Sequence, residues 1–140
     1  MPSVSEMELN TAIAQLRGYD LADSALTMLD HHQGDLEAAL AASIAQEYGG
    51  AAMGEVRSLK EAALTVLRRE LCGDEGFRGL VKGYVSKSQN ATLLTGAIAY
   101  ILESVTLPFS ISPAIATLVV LYVLKVGLDI FCEYTQPDFS

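Results

Sequence analysis

Gly18-Tyr19-Asp20-Leu21-Ala22-Asp23-Ser24-Ala25-Leu26-Thr27-Met28-Leu29, followed closely by Gly34-Asp35-Leu36-Glu37-Ala38-Ala39-Leu40, is the stretch whose reading decides the fold. Ala22, Ala25, Leu26 and Leu29 recur every three or four residues, the period that gathers them on one side of an α-helix. Leu36, Ala39, Leu40 and Ile44 do the same in the next segment. A glycine before each segment accepts the left-handed backbone that ends a preceding helix. An aspartate close behind each glycine, Asp20 and Asp35, offers a carboxylate to the unpaired amides of the helix that follows. Upstream, Ser5 and Glu8 have capping-box spacing, and Leu9, Ile13 and Leu16 make an apolar face that stops at Gly18. Three short helices joined by glycine turns therefore fill residues 1–48.

The punctuation changes at Tyr48-Gly49-Gly50-Ala51-Ala52-Met53-Gly54, where three glycines in seven residues read as a linker, extending over residues 49–57. Ser58 with Glu61 forms a second capping box, and Ala62, Ala63, Val66, Leu67 and Leu71 carry an amphipathic helix to Gly73. Asp74 caps a fifth helix with Phe77, Leu80, Val81, Tyr84 and Val85 on one face. Gly76, Gly79 and Gly83 make it the least stable helix, and their spacing suits a close helix crossing or fraying rather than a phosphate loop. Two apolar helices follow, at residues 91–105 and 113–134, the second opened by Ser112-Pro113 and ended by Pro137. No period-2 alternation bounded by hairpin turns occurs. The prediction is an all-α protein of about seven helices: a three-helix unit over 1–48, a linker over 49–57, and over 58–140 a bundle of about four helices around the apolar 113–134 helix.

Charge divides the chain at the same place. Residues 1–54 hold eight Asp or Glu against Arg17 alone, whereas residues 55–140 hold nine against eight Lys or Arg. An acidic N-terminal half repels phosphate backbones, so nucleic acid is excluded as the expected partner. Cys72 and Cys132 are the only cysteines, and the N-terminus lacks a secretion-signal layout, so free thiols in a reduced cytoplasm are expected.

The order helix, Gly-aromatic turn, helix, Gly-Asp turn, helix over residues 6–47 resembles the ubiquitin-associated (UBA)-like fold. Members carry a Met-Gly-Phe/Tyr loop after the first helix, read here as Arg17-Gly18-Tyr19. They also carry an Asn/Gly-Asp-x-Glu-x-Ala opening of the third helix, read here as Gly34-Asp35-Leu36-Glu37-Ala38. The resemblance implies a protein-binding module whose contact residues are Arg17, Gly18, Tyr19, Ser43 and Ile44. Arg17 stands where ubiquitin binders carry Met, and Ser43-Ile44 where they carry two large apolar residues late in the third helix. The implied partner is therefore a protein other than ubiquitin, with a ubiquitin receptor as an alternative. Tyr and Arg side by side also suit a small interface that concentrates its energy in few residues, against a structural role for Tyr19 in its own core.

The 113–134 segment is apolar all round, as befits burial in a bundle or a membrane. Twenty-odd residues reach across a bilayer. Lys125 and Asp129 inside it cost about 2.5–3.5 kcal/mol each at a bilayer centre, and their i,i+4 spacing lets them pair. A buried central helix is expected, and a membrane hairpin is the alternative. So apolar a helix in so small a domain is also expected to leave a face for a second copy of the chain or another partner.

Nothing in the sequence assembles an active site. His31 and His32 are solvated residues at a helix end rather than metal ligands. Cys132 lies in apolar surroundings that disfavour a nucleophile, and no phosphate-loop motif occurs. The expectation is a non-enzymatic adaptor without cofactor or metal.

Overall fold

The computed structural model describes residues 6–48, 53–86, 90–104 and 111–134. It is all-α. The described residues form α1 (Glu6–Leu16), α2 (Asp23–His31), α3 (Leu36–Tyr48), α4 (Met53–Cys72), α5 (Glu75–Ser86), α6 (Ala91–Glu103), α7 (Pro113–Val126) and α8 (Leu128–Tyr134), with a 3-10 turn at Asp20–Ala22.

Three of the expected caps form. Asp35 accepts from the Ala38 N–H at 3.0 Å, Asp74 from the Phe77 N–H at 3.0 Å, and the Ser112 hydroxyl from the Ile115 N–H at 3.2 Å. Asn90, which sequence reasoning passed over, caps α6 by accepting from the Thr92 N–H at 2.8 Å. Asp20 does not cap α2. The chain makes a 3-10 turn there first, and α2 starts at Asp23 with no side-chain cap. Ser5 lies outside the described residues, as do residues 49–52 of the expected linker; α4 begins at Met53, five residues before the expected Ser58 start. Gly18 and Gly34 take φ of 91° and 85°, conformations that L side chains resist, and this fixes where α1 and α2 stop.

α7 is the axis of the molecule. All residues from 114 to 124 are buried, because α1, the 3-10 turn, α2 and α3 pack on it from one part of the chain while α6 and α8 pack on it from the other. α4 runs along α3 and reaches α5 and α8, and α5 lies on α6. The buried apolar residues form one continuous core from Ala12 to Phe131. The apolar circumference of α7 is thus covered within one chain, contrary to the expectation of a face left for another copy.

The expected 113–134 helix is in fact two. α7 ends at Val126, Gly127 adopts φ 94° and ψ 139°, and α8 turns back so that Phe131 meets Tyr122 edge-on at 6.2 Å. Arg68 of α4 sits 5.3 Å from the centre of the Phe131 ring, a cation–π contact. With 14 residues α7 is about 21 Å long, short of the ~30 Å hydrocarbon layer. No helix among the described residues is long and apolar enough to cross a membrane. The break also removes the i,i+4 relation of Lys125 and Asp129.

Cys72, the last residue of α4, and Cys132 of α8 form a disulfide with Cα atoms 5.7 Å apart across 60 residues of sequence. Two free thiols were expected, one a buried hydrophobe and one a helix-end residue. Tertiary packing of α8 on α4 overturns this, since α8 exists as a separate helix only because of the break at Gly127.

Two glycines of α5, Gly76 and Gly83, serve a close crossing, while Gly79 faces open space. A Cβ on Gly76 would lie 2.7 Å from Cζ of Tyr100, and one on Gly83 3.2 Å from Leu93, both on α6. Tyr100 occupies that space and donates from its hydroxyl to Asp74 Oδ1 at 2.8 Å. The Phe77 N–H, then the Tyr100 hydroxyl, hold the Asp74 carboxyl below its ordinary value. The bond to Asp74, then burial, hold the Tyr100 phenol above its own. A depressed carboxylate contributes stability above its unfolded pKa and loses it as pH falls through the folded one. A raised phenol contributes fully below its unfolded pKa and loses it as pH rises through the folded one. Tyr100→Phe is expected to flatten the loss of stability above about pH 10 and to weaken the acid limb, read as denaturant midpoints of variant and parent across pH.

Two buried hydroxyls, Ser43 Oγ (residue 1% exposed) and Thr117 Oγ1 (0%), have no hydrogen-bond partner among the described residues. Thr117→Val replaces the second with a methyl of similar size. It is expected to stabilise the protein by about 1 kcal/mol, measured as a rise in the urea midpoint at unchanged slope.

Candidate functional site

The Arg17-Gly18-Tyr19 loop is a surface turn anchored by a half-buried ring. Gly18 is exposed and its left-handed φ lets the Tyr19 N–H donate to the Leu16 carbonyl at 3.0 Å. Arg17 lies 3.9 Å from Asp30, both side chains more than half exposed, a pair worth at most a few tenths of a kcal/mol. Tyr19 is half-buried against the core. Its phenol is pushed up first by that burial and then by the negative charge of Glu103 on α6. Part of its surface is thus spent on tying the loop to the bundle.

Ser43 and Ile44 do not form the expected patch. They are 1% and 0% exposed, because α3 is packed by α2, α4 and α7 together and has few free sides. Ile44 is core. The structure therefore does not join these two residues to the loop as one exposed surface, and the contact set implied by the UBA-like resemblance is reduced to Arg17, Gly18 and Tyr19.

What the structure brings together is a different place. A groove of about 610 Å³ opens between the 3-10 turn and α2 on one side and the ends of α3 and α7 on the other. Its carboxylates are Asp20, Asp23 and Glu47. Hydroxyls of Ser24 and Thr27 line it, and the chain at Ser43 forms part of its wall. Leu21, Met28 and Ala114 supply apolar surface. The helix ends meet there because the Ser112 hydroxyl that caps α7 also donates to Glu47 near the end of α3. A smaller depression shares Thr27 and His31 with the groove and adds Asp30, the partner of Arg17.

Chemically the groove suits a long cationic side chain. Three carboxylates with one neighbouring histidine give it negative charge, and the apolar residues between them fit a methylene stem. Its volume lies within the range of small-ligand clefts. No cluster of three or more His, Cys, Asp or Glu suited to a metal ion occurs among the described residues. The groove was not legible in the sequence because Glu47 lies 24 residues from Asp23 and only packing brings it to the stretch of Asp20 and Asp23. The only signal was the acid excess of residues 1–54.

Fold and groove together define an all-α bundle with an acid-lined cleft at the junction of its N-terminal helices and its central helix. The chain matches no protein-family model, no curated protein and no solved structure.

Proposed function

We propose that the chain is a non-enzymatic interaction protein whose acidic N-terminal half binds a lysine- or arginine-bearing segment of a protein partner. The observation that carries this reading is the groove at Asp20, Asp23 and Glu47. Its charge agrees with the acid excess of residues 1–54, which would steer a basic partner toward this half and raise its association rate. The resemblance of residues 6–47 to UBA-like modules supports the same class of activity. Burial of Ser43 and Ile44 weighs against the ubiquitin-receptor alternative. The cytoplasmic expectation rested partly on free thiols, and the disulfide removes that support.

The test uses the full chain, because α1, α2 and α3 bury apolar surface on α7. A labelled lysine-rich decapeptide and its glutamate-substituted counterpart are titrated by fluorescence anisotropy. Only the first is expected to bind. The triple substitution Asp20→Asn, Asp23→Asn, Glu47→Gln should weaken it about tenfold or more, while Glu6→Gln with Glu8→Gln, at exposed positions of α1 away from the groove lining, should change it little. Equal effects from both sets would mean attraction to bulk charge and would sink the assignment.

A further inference from the structure

The Cys72–Cys132 disulfide sits in an asymmetric electrostatic setting. Arg78 of α5 directs one guanidinium nitrogen, Nη1, at both ends of the bridge: it donates to the Cys72 carbonyl at 3.4 Å and to Cys132 Sγ at 3.6 Å. The positive charge therefore lies against the sulfur of Cys132. Cys72 is the last residue of α4, where the aligned peptide dipoles put partial negative charge that disfavours an added one, and its own carbonyl already takes one of the Arg78 contacts. Both cysteines are only partly buried at the edge of the core. Other charged residues on the helices that carry the bridge or pack on it are Arg68, Arg69 and Glu70 of α4, Lys82 of α5, and Asp129 and Glu133 of α8. Asp74, two residues past Cys72, is engaged by the Phe77 N–H and Tyr100.

We infer that Cys72–Cys132 is a thiol–disulfide exchange site for a dithiol reductant, with Cys72 Sγ the atom attacked and Cys132 Sγ the leaving group that Arg78 stabilises. Exchange proceeds through a mixed disulfide and is faster when the departing thiolate is better stabilised. A thiolate of the dithiol forms an S–S bond to Cys72 as the Cys72–Cys132 bond breaks, and the electron pair goes to Cys132 beside Arg78. The second thiolate of the reductant then attacks its own sulfur in the mixed disulfide and releases Cys72. Two electrons and two protons pass from the dithiol to the protein. The dithiol ends as a disulfide, the protein as two thiols, and α8 loses its covalent tie to α4.

The test is made on the oxidised full chain with glutathione, a monothiol that arrests at the mixed disulfide, followed by alkylation and peptide mass spectrometry. Glutathione is expected on Cys72 and the alkyl group on Cys132. Arg78→Met, which keeps the apolar stem and removes the charge, should slow reduction by dithiothreitol about tenfold and erase the preference between sulfurs; Arg78→Lys should restore much of both. Glutathione found mainly on Cys132, or a rate indifferent to the charge at position 78, would overturn the assignment. So would a native protein that dithiothreitol does not reduce within hours. Should Arg78→Met fail to fold, the site of glutathione attachment on the parent protein decides alone.

Discussion

Leu121→Ala is expected to lower the free energy of unfolding by about 2–5 kcal/mol, the range for emptying a fully buried leucine site. Leu121 is 0% exposed in the middle of α7, the helix on which α1, α2 and α3 pack as well as α6 and α8. A cavity there is shared by neighbours from both parts of the chain, so little local collapse can fill it without shifting several helices. The measurement is urea denaturation followed by circular dichroism. A single transition at lower midpoint is expected, with the slope retained if both parts still unfold together. Ile130→Ala, at a side chain 56% exposed on α8, serves as the control and should change stability by less than about 0.5 kcal/mol.

Loss of the disulfide is the second large effect. Cys72 and Cys132 close a loop of 60 residues that holds α5, α6 and α7. Chain-entropy reasoning assigns such a loop about 4 kcal/mol, and native disulfides in small domains are worth about 2–5 kcal/mol. Cys72→Ser with Cys132→Ser, or full reduction of the parent protein, should therefore lower stability by about 2–4 kcal/mol. Phe131 remains packed on Tyr122 and under Arg68, so α8 is expected to stay docked and the protein to stay folded. Comparing urea midpoints of oxidised parent, reduced parent and double variant checks this. The two thiol-bearing or thiol-free states should agree with each other and fall below the oxidised one. A reduced parent as stable as the oxidised protein would show that the unfolded chain gains nothing from opening the loop.

The parts of this fold that were legible in the sequence are those governed by neighbours within a few residues. Asp35, Asp74 and Ser112 cap because the donor that each satisfies is three residues away. Gly18 and Gly34 stop helices because a left-handed turn is a local demand. Errors arose where distant packing decided. Asp20 has the residue type of a cap, but the chain first makes a 3-10 turn against α7 and starts α2 three residues later. Apolar residues resume on both sides of Gly127 around Lys125 and Asp129, so periodicity could not show that the helix breaks there and folds α8 back onto Tyr122. The disulfide depends on that fold-back and has no local signature.

The candidate site was less legible for the same reason. The UBA-like resemblance implies a surface position for Ser43 and Ile44, whereas here α4 and α7 cover α3. Asp20, Asp23 and Glu47 each look like ordinary solvated acids in sequence. They line one groove because α2, α3 and α7 pack together, with the Ser112 cap of α7 tied to Glu47 at the end of α3. The groove is thus a property of the whole chain, and its existence depends on the N-terminal helices and α7 forming one unit.

That dependence is tested most directly by native-state hydrogen exchange on the full chain over a series of sub-denaturing urea concentrations. Amides of Leu16, Leu29 and Leu40 in the N-terminal helices, and of Ile98 and Leu121 in α6 and α7, are all at buried residues. If α7 is the common axis, their exchange free energies should converge on one global unfolding value with one urea dependence. Convergence of α1, α2 and α3 on a separate, lower value, with α6 and α7 still protected, would show an independent N-terminal module and contradict the account.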